Sequence, residues 1–177
     1  MHVDGGGSAA IPEERQNSTE AKAQVSVTSA LPDANAVECK KIVGKVTRVI
    51  DGDTIWVTDT AGKHKIRLEK IDAPERDQPY GHESTQFLES LIYDLQVEVQ
   101  WTDKDQYGRI LGIVYFNGED VNLAMVKNGY AWHYSFNDNT LEYAEAEKKA
   151  RQGRRGLWAA ESPINPYEWR KARARRR

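Results

Sequence analysis

A mainly β fold with helices, a five-stranded Greek-key barrel of the oligonucleotide-binding (OB-fold) type with about three α-helices, is predicted by three features of the sequence. Five short runs alternate β-branched or aromatic residues with polar ones, and Asp-Gly, Ala-Gly and Asn-Gly pairs punctuate them. A single stretch of helical period stands before the fourth run, an order that fits a small closed barrel better than a layered parallel sheet. The length of 177 residues allows one globular unit with room for a flexible segment, and not two full domains.

Residues 1–38 are expected to form a disordered leader or linker. They contain Gly5-Gly6-Gly7, are rich in Ser, Ala, Glu, Gln and Asn, and never sustain an apolar period. The folded domain is set at residues 39–166. Its first strand starts at Ile42 in IVGKVTRVI, and DTIWVTD and HKIRLEKI follow as the second and third. Asp51-Gly52 and Ala61-Gly62 supply the turns between them, which makes an antiparallel meander. From Gly81 onward, Phe87, Leu88, Leu91 and Ile92 recur at helical spacing, and QVEVQW then returns to alternation as the fourth strand. RILGIVYF is the fifth strand, closed by Asn117-Gly118. Val121, Ala124, Met125 and Val126 mark a second helix ending at Asn128-Gly129, because glycine tolerates the left-handed conformation of a helix end. A third helix runs through Gln152, with Asn139 or Thr140 as its cap, Glu142 placed for a capping box and Gly153 beyond its end. Residues 167–177 are assigned to a basic C-terminal tail.

Composition narrows the function classes. No run approaches the roughly 18 consecutive apolar residues of a membrane span, and the first thirty residues lack the apolar segment of a signal peptide. The single cysteine, Cys39, excludes an intramolecular disulfide and a zinc site built on several thiolates. The net charge of -2 hides a segregation. Residues 41–147 hold eleven Lys or Arg against nineteen Asp or Glu, whereas residues 148–177 hold eleven against two. Basic ends meet phosphate, on nucleic acid or anionic lipid, and clustered carboxylates meet cations; a solvated surface accounts for the pattern equally well.

Three clusters carry candidate chemistry: Asp51-Gly52-Asp53-Thr54, the run from Arg67 to Glu75, and Asp105-Gln106-Tyr107-Gly108-Arg109. Each lies at a strand end. In a meander the start of the second strand and the end of the third share an edge, which brings Asp53 and Asp72 together. Two close carboxylates repel unless a cation lies between them, and carboxylates with backbone carbonyls and water suit a hard ion such as calcium. Taken singly, each Asp is equally well explained by turn chemistry. Arg67 in mid-strand and Arg109 at the start of the fifth strand need anions, either a phosphodiester held by a planar fork or surface carboxylates. Glu75, three residues beyond Asp72, is placed to accept a proton from a metal-associated water.

The segments VIDGDTIWV, IRLEKIDAPE and DQYGRILGIVY, followed by VNLAMVKNGYAW and ARQGRRGLWA, resemble the staphylococcal nuclease, or thermonuclease, family over roughly residues 42–160. The resemblance implies a five-stranded barrel with three helices that hydrolyses DNA and RNA with calcium (Ca2+) and leaves 3′-phosphate ends. It implies that Asp53, Asp72 and the backbone carbonyl of Ala73 hold the ion, that Arg67 and Arg109 hold the scissile phosphate, and that Glu75 is the general base or orients the attacking water. Tyr107 is implied to contact a terminal phosphate. Gln106 stands where the family commonly has lysine, which weakens that contact. Tyr134 and Phe136 align loosely with paired tyrosines that flank the base, while Trp132 and Phe136 are expected to serve as ordinary core residues.

Six basic residues from Arg170 onward suit non-specific attraction to a phosphate backbone or simple solvation, with Trp169 packed on the body. His64, His82 and His133 share no metal-ligand spacing, and no Ser or Cys is paired with a base. The expectation is therefore a monomeric nuclease with DNA or RNA as substrate and no protein partner. The rival is a non-catalytic nucleic-acid or protein binding module on the same barrel, against which Arg67, Glu75 and Arg109 argue. Family resemblance favours a secreted, periplasmic or envelope location, and the lack of a visible signal segment leaves the cytoplasm as the alternative. Ala34-Asn35-Ala36 looks like a cleavage site without the apolar run that precedes one.

Overall fold

Alternation in the sequence becomes alternation of burial along the strands of this computed structural model, which describes residues 39–136 and 138–176. The expected leader, residues 1–38, lies outside the described residues. Strand β1 (Lys40–Asp51) buries Ile42, Gly44, Val46 and Val49. The step of three from Val46 to Val49 coincides with a register shift against β2 (Thr54–Asp59), where a bulge rephases the inward face. Strand β3 (Gly62–Leu68) completes the meander, with Thr54 opposite Arg67 and Asp59 opposite Gly62.

The other long strands are β5 (Gln96–Lys104) and β6 (Ile110–Phe116), preceded by a two-residue strand β4 (Ile71–Asp72) and helix α1 (Gly81–Ile92). Strand β1 pairs antiparallel with both β2 and β5, β5 pairs with β6, and β6 returns to lie parallel to β3 from Ile66↔Ile110 to Leu68↔Gly112. That parallel contact closes five strands into a barrel and leaves no free edge among them. Asn117 and Gly118, both at positive φ, turn β6 into the short strand β7 (Glu119–Asp120), as a two-residue hairpin demands. Inside the barrel Val46, Ile55, Val57, Ile66, Val99 and Val114 pack against Leu88 and Ile92 of α1 and Met125 and Val126 of α2 (Val121–Lys127). Gly129, at φ +75°, ends α2 as expected.

Strand β8 (Trp132–His133) pairs with β4, and helix α3 (Leu141–Gln152) follows. Thr140 is the N-cap of α3 by position, but its hydroxyl donates to Asp138 Oδ1 at 2.6 Å and accepts from Lys70 Nζ at 2.9 Å, so the expected side-chain cap is not made. The tertiary partners of the hydroxyl outcompete the local one. A 3₁₀ turn (Gly156–Ala159) seats Leu157 and Trp158 against Trp132 and Tyr80. The region assigned to the tail also differs: Pro166–Ala174 is a fourth helix, α4, capped by the Asn165 side chain. No helix among the described residues is long and apolar enough to cross a membrane.

Candidate active site

Two strand ends and one short strand bring the buried carboxylates together. At the start of β2, Asp53 is fixed by the barrel itself, since its carbonyl accepts from Leu68 N–H at 2.8 Å. Its Oδ1 accepts from the Thr54 hydroxyl at 3.0 Å, and its Oδ2 from the Ala73 N–H at 2.9 Å. Asp72, only 2% exposed, is fixed by the pairing of β4 with β8. Arg67 spans the two: Nη1 lies 3.0 Å from Asp53 Oδ2, and Nη2 lies 3.2 Å from Asp72 Oδ1. Its Nη1 also donates to the carbonyls of Leu68 and Ile71 at 2.9 and 3.0 Å. The inward charge on β3 is thus satisfied by protein acceptors.

Burial without full compensation shows in the proton affinities. Burial first, and the Asp53 charge second, push Asp51 up to about 7. Burial also raises Asp72, against a lowering hydrogen bond from Arg170. The cluster therefore favours added positive charge.

Arg109 stands just before β6, on the turn that begins at Asp105. The Asp105 carboxylate accepts from the backbone N–H groups of Tyr107 and Arg109 and, at 2.7 Å, from Arg109 Nε. These bonds outweigh burial, which alone raises Asp105, and hold its carboxyl below the ordinary range. With Nε anchored, no partner is found among the described residues for the two terminal nitrogens of Arg109. The guanidinium carbon lies 5.7 Å from the centre of the Tyr107 ring.

A cavity of about 510 Å³ opens here, and its walls include Arg67, Asp72, Tyr107, Arg109, Tyr134 and Arg170. It gathers the expected phosphate-binding arginines, one expected metal ligand and two expected nucleotide contacts, with Gln106 also on its wall. Asp53 lies behind it through Arg67, and Glu75 beside it through Arg170. Tyr107 is 76% exposed at the rim. Phe136 is corrected as a core residue: it is 85% exposed, on a loop that leads to α3, with its ring 6.4 Å from that of Tyr134. Trp132 does pack, edge-on to Trp158 at 4.4 Å.

Sequence reasoning missed Arg170. Its Nη1 donates to Asp72 Oδ1 at 3.1 Å and Glu75 Oε1 at 2.9 Å, and its Nη2 to Asp72 Oδ2 at 2.9 Å. Asn165-Pro166 is a legible helix start, with a capping side chain and a proline at the first helical position. Nothing local signals where that helix docks. Asp51, the third carboxylate of the cluster, stands in the first motif, but its spacing alone assigns it no role.

A family model described as staphylococcal nuclease homologue matches residues 65–160. An uncharacterized endonuclease of Escherichia coli is 44% identical over 135 residues, covering 76% of this chain and 88% of that protein. An uncharacterized endonuclease of Haemophilus influenzae is 37% identical over 138 residues, covering 77% and 78%. A probable staphylococcal-like nuclease of Oryza sativa subsp. japonica is 45% identical over 111 residues, 63% of this chain and 34% of that longer protein.

Proposed function

Because the chain belongs to the staphylococcal nuclease homologue family, and is on that ground a phosphodiester hydrolase of nucleic acid, we propose that it is a calcium-dependent endonuclease of low sequence specificity. In this reading it acts on DNA and RNA and leaves 3′-phosphate ends. The observation that carries it is the pairing of Arg109, with its terminal nitrogens free of described partners, and the buried Asp53–Arg67–Asp72 bridge around one cavity.

The donor set fits a hard cation. Asp53 and Asp72 offer oxygen only, the Ala73 carbonyl lies in the adjoining segment, and Asp51 is pushed up by burial and by the charge of Asp53. Among the described residues no three His, Cys, Asp or Glu side chains are grouped at metal-binding spacing, so Asp53, Asp72 and the Ala73 carbonyl would hold a calcium ion only with further oxygen ligands such as water. When bound, the ion supplies positive charge to the carboxylates and to a phosphate oxygen. Arg109 donates its free fork to the equatorial oxygens of the phosphate, where charge grows as water attacks and the 5′-oxygen leaves. Arg67 sets the spacing of the two aspartates and faces the same phosphate. Glu75 accepts the proton of the attacking water, and Tyr107, Tyr134 and Phe136 contact the neighbouring nucleotide. A secreted or envelope location is proposed on family grounds alone, and cell fractionation tests it.

Digestion of labelled DNA and RNA with calcium, magnesium or chelator tests the whole reading, with end-group analysis of the products. Calcium is expected to restore cleavage after chelation and to yield 3′-phosphate ends. Cleavage indifferent to chelator would overturn the cation, and 5′-phosphate ends would overturn the leaving group.

A further inference from the structure

We propose that Arg170 is a positioning residue for phosphodiester hydrolysis: its guanidinium holds the Glu75 carboxylate against that of Asp72. The proposal deepens the reading of Glu75 as proton acceptor and rests on it.

Glu75 lies on the loop between β4 and α1, where its side chain is 36% exposed. Its backbone is tightly held. The Glu75 N–H donates to Gln78 Oε1 at 3.1 Å, and Gln78 N–H donates back to Glu75 O at 2.9 Å. Gly81 opens α1 so close to the Glu75 carbonyl that a Cβ would collide with it. The side chain is different, since Arg170 is its one described partner. A free glutamate explores several rotamers, whereas proton transfer needs one within a few tenths of an ångström.

Arg170 removes that freedom by using a rigid neighbour as its anchor. One Nη bonds both Asp72 Oδ1 and Glu75 Oε1, and the other bonds Asp72 Oδ2, so a single planar cation bridges three oxygens. The backbone of Asp72 is held by the pairing of β4 with β8. The helix that carries Arg170 is tied to the loop by Arg173, which pairs with Asp77, and the segment leading into it by Gln78 Nε2, which donates to Ile164 O at 2.6 Å. With Oε1 of Glu75 pinned, Oε2 has no partner among the described residues. A lysine reaches these oxygens as a point charge and does not fix the plane.

The same bonds carry an opposite reading, in which Arg170 blocks Asp72 and restrains the enzyme, and the two differ in sign. Turnover of a short labelled oligonucleotide is measured for the full chain and its variants. Arg170→Gln is expected to lower kcat about tenfold or more with KM changed less than about threefold. Arg170→Lys is expected to recover part of that loss. In a Glu75→Gln background, Arg170→Gln is expected to cost less than about twofold, because the group it positions is already gone. Arg173→Gln, which removes one tie of α4 to the loop but leaves the Arg170 bridge in place, is expected to cost clearly less kcat than Arg170→Gln. An equal loss in both backgrounds, a loss confined to KM, an Arg173→Gln variant as slow as Arg170→Gln, or a rise in turnover overturns the positioning role. Wild-type turnover in Glu75→Gln overturns the proton-acceptor reading itself, and the positioning role with it.

Discussion

Arg67 and Arg109 line one cavity, yet their guanidinium groups have different surroundings, and the two substitutions are expected to differ in kind. Arg67 is 17% exposed and neutralises two buried carboxylates, so Arg67→Ala leaves Asp53 with no ion pair and Asp72 with Arg170 alone. Breaking a buried pair in this way costs about 3 kcal/mol or more, and denaturant unfolding without divalent ions measures it. Added calcium is expected to return part of the loss. Arg109→Ala removes only one partly exposed ion pair, with Asp105, and is expected to unfold within about 1 kcal/mol of wild type. Its turnover is expected to fall by at least about a hundredfold with KM little changed, since a well-placed electrostatic group acts mainly on the transition state. A purely KM effect for Arg109→Ala removes it from the reacting phosphate. A third residue fixes a pH dependence. Burial raises Asp138, but hydrogen bonds from Thr140 and His133 and the charge of Lys70 outweigh it, and its carboxyl sits below the ordinary range. A depressed carboxyl contributes stability that is present above its unfolded pKa, about 3.9, and is lost as pH falls through its folded value. Asp138→Asn is therefore expected to be less stable than wild type at pH 7, with the gap closing as melts are taken to lower pH.

Elements closed by their own turn chemistry were legible before the fold was known. Asp51-Gly52, Ala61-Gly62 and Asn117-Gly118 all fall at strand ends, and Gly129 ends α2. The meander places Asp53 beside Arg67, because Thr54 pairs with Arg67, but the third strand ends at Leu68 and not at Ile71, so Asp72 is placed by β4. Two-residue elements have no period to detect, so β4 and β8, which fix Asp72, were invisible in sequence. Phe136 shows the limit of composition: an aromatic residue carries no label for the face it takes. Helix α4 shows another limit, since its capping signal is local and its docking on Asp72 is not. Pro166 of α4 is buried and Trp169 half-buried with its Nε1 enclosed, so ending the chain at Ile164 removes the packing of these two side chains while keeping the acceptor of Gln78. That truncation is expected to lower the melting temperature by only a few degrees, about 2 to 4 °C per kcal/mol at this size, while turnover falls at least as far as in Arg170→Gln. A collapse of the melting temperature makes α4 part of the folding unit, and its activity loss then says nothing of Glu75.

Across the whole molecule, charge is divided between an acidic body and a basic C-terminal region, and α4 divides it again. Arg170 and Arg173 pair with Asp72, Glu75 and Asp77, while Lys171, Arg175 and Arg176 are exposed with no ion pair among the described residues. The two paired arginines are neutralised locally and add little to the outer field. The other three present their charge to solvent beside a site whose own carboxylates repel a polyanion. They are therefore placed to hold duplex phosphates distant from the cleaved bond, a term set by counterion release. Replacing Lys171, Arg175 and Arg176 together with glutamine is expected to weaken long-duplex binding and to flatten its log–log salt dependence by about 0.9 for each phosphate that is no longer neutralised. Turnover on an oligonucleotide too short to reach α4 is expected to stay within about twofold, because none of the three touches the cavity. Binding titrations from low to physiological salt separate the outcomes. An unchanged slope means that the acidic body screens these charges from the duplex, and a loss of short-substrate turnover means that the basic helix acts inside the site as a whole and not through Arg170 alone.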